Sequence, residues 1–166
     1  ETEPMSSPIQ SRRAIRTKSM RERQVSTTRI VEATPATIWD IITDPAMHPV
    51  IDGSGTVKAA LGNPKRLGPN SKFGMSMKMG LPYPIRNKVV EYVDGRRIAW
   101  QHFSGHRWRW ELEEVEGGTR VTETFDWSTA RSPQAIEAGG FPEKNLRGMK
   151  ATLERLAEVV AEGRAA

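Results

Sequence analysis

"RRIAWQHFSGHRWRWELEEVEGGTRVTETFDW", residues 96–127, contains the pattern that decides the fold. Three runs, "RRIAWQHF", "RWRWELEEV" and "TRVTETFDW", alternate apolar with polar residues and are parted by Ser104-Gly105-His106 and Gly117-Gly118. Alternation with a period of two marks strands that bury one face, and connections this short can join only antiparallel neighbours. Working outward, Asp94-Gly95 attaches "PIRNKVVEYV" (84–93). The stretch Gly80-Leu81-Pro82-Tyr83-Pro84 attaches "SKFGMSMKMG" (71–80), and "TVKAALG" (56–62) precedes it. The middle of the chain is therefore expected to be a meander of hairpins.

The flanks change period. "VSTTRIVEA" (25–33) reads as one more strand, and "TPATIWDIITDP" (34–45) then switches to helical spacing, with Thr34 placed to cap, Pro35 in the first turn and Ile38, Trp39 and Ile42 on the buried side. Asp44-Pro45 and Pro49 break that helix, and a second short turn is expected around Met47 and His48. At the other end Leu146, Met149, Leu153, Leu156 and Val160 form one apolar stripe ending before Gly163, the mark of a long amphipathic helix. Ser132-Pro133 starts a short preceding turn that Gly139-Gly140 and Pro142 interrupt. One sheet and one long helix bury both apolar faces only if the sheet curls around the helix. The expected class is α+β: a curved antiparallel sheet wrapped around a long C-terminal helix, with two short helices after the first strand.

At 166 residues the chain suits one domain, and its 37% hydrophobic and 27% charged content is that of a globular protein. The net charge is +5 and the pI about 9.8, but +3 of that charge lies before Val25. Residues 1–24 are therefore expected to be a flexible basic arm able to touch an acidic surface, and residues 25–166 the folded domain. "HRWRW" mixes Arg and Trp as single-strand binders do, yet strand alternation sends them to opposite faces, so no specific nucleic-acid partner is expected and Arg107 and Arg109 read as a solvated exterior. No apolar run reaches the length of a membrane span, and no apolar stretch follows the basic residues as a signal peptide requires; the expected compartment is the cytoplasm.

The order strand, two short helices, antiparallel meander and C-terminal helix resembles the START-like, or SRPBCC, superfamily with its helix-grip fold. "ATPATIWDIITDP", "GGTRVTETFDWS" and "MKATLERLAEVV" look like its polyketide cyclase/dehydrase and lipid-transport family, over about Val25 to Gly163. The resemblance implies a ligand cavity between sheet and helix. It does not imply a reaction.

Turn lengths predict the register. A two-residue Asp94-Gly95 turn pairs Glu91 with Ile98, Val89 with Trp100 and Asn87 with His102; a like turn at Gly117-Gly118 pairs Leu112 with Glu123, Trp110 with Phe125 and Trp108 with Trp127. The intervening loops then set His102 beside Trp108 and Met77 beside Asn87. One face so collects Phe73, Met75, Met77, Met79, Val89, Trp100, Trp108, Trp110 and Phe125, with Met149 and Leu153 opposite on the helix. Spacing alone fits a packed core as well as a ligand wall; with the implied cavity, Met75, Met77, Met79, Val89, Trp100, Trp108, Trp110, Phe125, Met149 and Leu153 become candidate ligand contacts. Methionine suits a wall whose partner varies in shape.

The polar residues on this face are Asn87, His102, Glu123 and Glu91. His102 with Asn87 beside it can orient a ligand carbonyl or hydroxyl, or exchange a proton near neutral pH; a core His satisfied by Asn87 would give the same pattern. His48, His102 and His106 lack metal-ligand spacing, cysteine is absent, and neither a G-x-S-x-G elbow nor a phosphate-loop glycine pattern occurs, so no metal or cofactor is expected. The leading expectation is a binder or carrier of an apolar or aromatic small molecule (a polyketide, lipid or quinone-like compound). One alternative is a cyclase or dehydratase moving protons through His102 and Asn87. Another is a protein-interaction module like the heat-shock-protein activator relatives of the superfamily.

Overall fold

The computed structural model describes residue 20 and residues 22–62 and 65–165. Most of the expected arm, residues 1–19 and 21, lies outside the described residues. Arg23 and Gln24 do not: Arg23 Nε donates to Glu137 Oε1 at 3.0 Å, and Gln24 opens the first strand.

Among the described residues seven strands form one antiparallel sheet in the order β1-β7-β6-β5-β4-β3-β2. They are β1 (Gln24–Val31), β2 (Val57–Leu61), β3 (Lys72–Met79), β4 (Leu81–Val93), β5 (Arg97–His102), β6 (Arg107–Val115) and β7 (Gly118–Asp126). Between β1 and β2 come α1 (Pro35–Ile42), a 3-10 turn (Pro45–Met47) and α2 (His48–Ile51); α3 (Pro133–Ala138) and α4 (Phe141–Ala165) close the chain. Thr34 caps α1 by accepting from the Thr37 amide, and Ile38, Trp39 and Ile42 face the core. This is the helix-grip arrangement. Among the described residues no helix is long and apolar enough to cross a membrane.

α4 is longer than its apolar stripe. It begins at Phe141, because Pro142 fits the first turn of a helix, and it runs past the exposed Gly163, where a single glycine costs only about 1 kcal/mol.

The register departs from expectation mostly by even numbers. Val115 opposes Gly118, so Trp110 faces Glu123 and Trp108 faces Phe125. Trp100 rather than His102 opposes Trp108, and Met79 opposes Leu81, which places Phe73 rather than Met77 beside Asn87. A shift by two keeps every side chain on its face. The tight start of β7 needs glycine: Gly118 has φ of +148°, and a Cβ there would collide with the Val31 carbonyl oxygen of β1.

One odd shift turns a residue over. Asn87 pairs with His102 and Val89 with Trp100 as expected, but a bulge at Val90 sets Glu91 against Ala99 and sends it to the outer face, while Tyr92 takes the inner place against Trp39. Glu91 is thus not on the cavity side. It meets Arg109 instead, which corrects the solvated reading of that arginine: its side chain is only 11% exposed and bonds both Glu91 (2.8 Å) and Asp126 (3.0 Å). Arg107 and Arg97 complete the cluster around Glu91.

β4 also starts earlier than expected and carries Pro82 and Pro84 in its ladder with β3. The two prolines are two residues apart and so lack their donors on one side. β5 ends at His102, opposite Asn87, leaving that side without a strand.

Candidate functional site

α4 packs chiefly on β1 and β7, so it does not cover the inner face of β3–β5. That offset leaves a cavity of about 860 Å³ between the sheet, α2, α3 and the first half of α4. β3 gives its whole inner row to it, Phe73, Met75, Met77 and Met79, because alternate residues of a strand share a face. β5 to β7 add Trp100, Trp108, Trp110 and Phe125, and the helices add His48, Ile51, Ile136, Phe141 and Met149. Gly53 closes the α2 side: its amide donates to Thr152 Oγ1 on α4 at 2.9 Å, and a Cβ there would strike the Ala151–Thr152 backbone.

The aromatic wall is an interlocked set. His48 stacks on Trp100 at 4.9 Å between ring centres, Phe73 meets the same indole edge-on at 5.5 Å, and Trp108 packs on Phe125 at 4.9 Å. His48 Nε2 lies 2.9 Å from the Ile42 carbonyl oxygen, and burial pushes its pKa down, so a neutral ring donates that bond.

Polar groups sit at separate points on this wall. At one end, the Ser104 amide donates to His102 Nδ1, and Ser104 Oγ lies 2.9 Å from that nitrogen and 2.8 Å from His106 Nδ1. Neutral His102 therefore carries its proton on Nε2. Burial lowers the pKa of His102, and burial reinforced by His102 pushes His106 down to about 4. Asn87 lies across from His102 in the ladder but makes no hydrogen bond to it, and its buried Oδ1 has no protein partner. Toward the other end, Trp110 Nε1 and Glu123 Oε2 are likewise buried without partners. Burial, with the charge of Asp52 acting in the same direction, holds the Glu123 carboxyl well above the usual range and favours its protonated form.

Of the residues singled out from sequence, Met75, Met77, Met79, Asn87, Trp100, His102, Trp108, Trp110, Glu123, Phe125 and Met149 line this cavity. Val89 and Leu153 do not; both belong to the packed core with Ile98, Leu112 and Leu156. His48, Ser104, His106 and Asp52 line it without having been singled out. Ser104 and His106 were within reach, since positions 102, 104 and 106 alternate in one turn; His48 and Asp52 come from irregular segments that carry no period.

Residues 22–161 match the family described as polyketide cyclase / dehydrase and lipid transport. An uncharacterized protein of Mycobacterium tuberculosis, Rv0088, is 40% identical over 148 residues, covering 86% of this chain; the chain spans 66% of that relative's length. Among solved structures, protein NE0264 from Nitrosomonas europaea superposes with a TM-score of 0.66 at 20% identity, covering 87% of this chain and 98% of its own. An AHSA1-like protein from Aeromonas hydrophila does so with 0.61 at 16%, covering 86% and 95%. Both likenesses concern the fold alone. The extent of the family match, on a sheet and helix that enclose the space just described, places this chain in the polyketide cyclase/dehydrase and lipid-transport family.

Proposed function

We propose that this chain binds and carries an apolar or aromatic small molecule, such as a polyketide, lipid or quinone-like compound, in the cavity between sheet and α4. The observation that supports this is the size of the space together with its lining. The space is open to solvent, and its volume of about 860 Å³ lies within the range of about 300–1,000 Å³ typical of small-molecule sites. Walls of Trp, Phe and Met supply affinity through apolar contact, and the few polar groups fix orientation.

Native mass spectrometry of protein purified under mild conditions should detect a retained small molecule. Titration with fluorene should quench tryptophan emission and raise the melting temperature, and Trp100→Ala should weaken that binding at a stability cost of about 3–5 kcal/mol. A panel of hydrophobic compounds that moves neither emission nor melting temperature would sink the proposal.

The His102–Ser104–His106 cluster favours a second reading, a cyclase- or dehydratase-type enzyme. A neutral imidazole on the cavity wall, linked through a hydroxyl to a second one, can give and take protons near neutral pH. On this reading His102→Ala should lower turnover of a cognate substrate by roughly two to four orders of magnitude while preserving affinity, and Asn87→Ala should do less. Turnover that survives His102→Ala would end it.

A further inference from the structure

The rim of the cavity carries large apolar side chains. Met79, Tyr83 and Phe141 line the space and are nonetheless 47%, 36% and 38% exposed, so apolar surface continues from the cavity wall to the outside. Leu81 opposes Met79 in the β3–β4 ladder and shares its face, and it is 80% exposed. Phe103, in the turn after β5, is 70% exposed and rests against His102 of the cavity wall at 4.1 Å between ring centres. Exposed apolar residues scattered singly need no explanation, but several gathered at the mouth of one cavity mark an interaction surface.

Positive charge is added to this rim. Arg131, before α3, and Lys144 and Arg147, in the first turns of α4, line the same space. All three are exposed, and among the described residues none of them forms an ion pair. The nearby carboxylates are engaged elsewhere. Glu137 accepts from Arg23 and from Trp127 Nε1, Asp52 accepts from the Ser54 hydroxyl and the Val57 amide, and Glu143 has an interaction of its own. The rim therefore offers apolar contact and positive charge together.

Those two properties select the partner. A nucleic acid would take the cations but leave Leu81 and Phe103 in water. A folded protein would need a surface shaped to separate hairpin ends, whereas a lipid interface takes in projecting apolar side chains at any spacing, and its anionic headgroups attract lysine and arginine. We propose that the rim of the cavity docks on an anionic lipid bilayer, with the hairpin end at residues 79–83 and Phe103 in the headgroup layer and Arg131, Lys144 and Arg147 against the lipid phosphates. The docking does not depend on what the cavity holds. It adds to the carrier reading the surface that the mouth faces, so that an apolar molecule leaving the cavity enters the bilayer without crossing water.

The test is co-sedimentation of the whole chain with vesicles of phosphatidylcholine, alone or with about 30% phosphatidylglycerol, the anionic vesicles being expected to bind about tenfold or more tighter. Raising the salt from about 50 to about 500 mM should weaken that binding about tenfold or more. Leu81→Asp with Phe103→Asp, and separately Lys144→Glu with Arg147→Glu, should each cost about tenfold or more in vesicle affinity. All four positions are exposed, so the variants are expected to fold, and their melting temperatures verify it. The chain has no cysteine, so Leu81→Cys and, on the outer face of β4, Lys88→Cys each carry an environment-sensitive dye at one place. Emission at position 81 should shift to the blue on anionic vesicles while that at position 88 stays put. Three results would overturn the proposal: no binding to the anionic vesicles at low salt, binding undiminished in both double variants, which would assign it to the basic residues before Val25, or an equal shift at positions 81 and 88. A concentration-dependent dimer that shifts the dye at position 81 without vesicles would give the patch to a second copy of the chain and overturn it as well.

Discussion

Replacing Arg109 with Met should destabilise the protein by about 3–5 kcal/mol, as expected when one partner of a buried ion cluster is removed and the others are left uncompensated. The guanidinium holds Glu91 through Nε and Nη2 at 3.1 and 2.8 Å, and Asp126 through Nη2 at 3.0 Å. Asp126, with its side chain 5% exposed, keeps only the Ser128 amide and hydroxyl on its other oxygen, whereas Glu91 retains Arg107 and Arg97. The bonds from Arg109 are the main reason the Glu91 carboxyl is held below its ordinary range. A carboxylate whose pKa is depressed on folding contributes stability above its unfolded pKa and loses it as the pH falls through the folded one. Arg109→Met should therefore also flatten the acid side of the stability curve. Chemical denaturation of the two proteins at neutral pH and near pH 4 checks both statements, and a loss below about 1 kcal/mol would mean the cluster is only a surface feature. Replacing Glu91, Arg109 and Asp126 together by apolar residues of similar size should recover much of the loss.

Acid should also act on the cavity wall through His106. Its folded pKa of about 4 lies below the ordinary value of 6.5, so between those limits the unfolded chain binds more protons than the native one. Stability from this group is full above about pH 6.5 and is lost as the pH falls through about 4; at roughly 1.4 kcal/mol per tenfold, the loss amounts to about 3 kcal/mol. His48 and His102, both lowered by burial, act in the same direction. Glu123 acts in the opposite one: its raised pKa stabilises the fold at low pH, and that contribution is lost as the pH rises above about 4.5. Melting temperatures from pH 7 to pH 4 should drop less steeply in His106→Gln than in the wild type. Parallel curves for the two proteins would assign the acid limb elsewhere.

What could be read from the chain follows from where periodicity survives. The inner face of the sheet was legible because side chains alternate with a period of two, and three misjudged hairpin loops erred by an even number, so Trp108, Trp110 and Met75 changed partners without changing sides. The loop at Asp94-Gly95 erred by one, since Val93 pairs with Arg97, and the bulge at Val90 restores the expected pairing beyond it. Glu91 was not legible. The bulge at Val90 lies inside "KVVEYV", a run with no glycine or proline to mark it, and it turns Glu91 toward an outer ion cluster formed with residues far along the chain. His48 and Asp52 escaped for a related reason, since they reach the cavity from a short helix and a loop whose positions tertiary packing sets. The Arg109 cluster escaped because alternation assigns a residue to a face but does not say how deeply that face is covered.

The prolines at the outer end of β4 have a bearing on how the molecule meets copies of itself. A strand that lacks a neighbour normally offers a row of free amides to any passing chain, which is how sheets join edge to edge into polymers. Here that row is broken at Pro82 and again at Pro84, on the stretch where Leu81 stands 80% exposed and Tyr83 36%. An incoming strand would find apolar side chains to touch but too few amides to hold its register. The sequence feature that lets β4 outrun β5 thus also blunts its open flank, and a pair of substitutions restoring both amides would leave an unpaired edge there able to accept another strand.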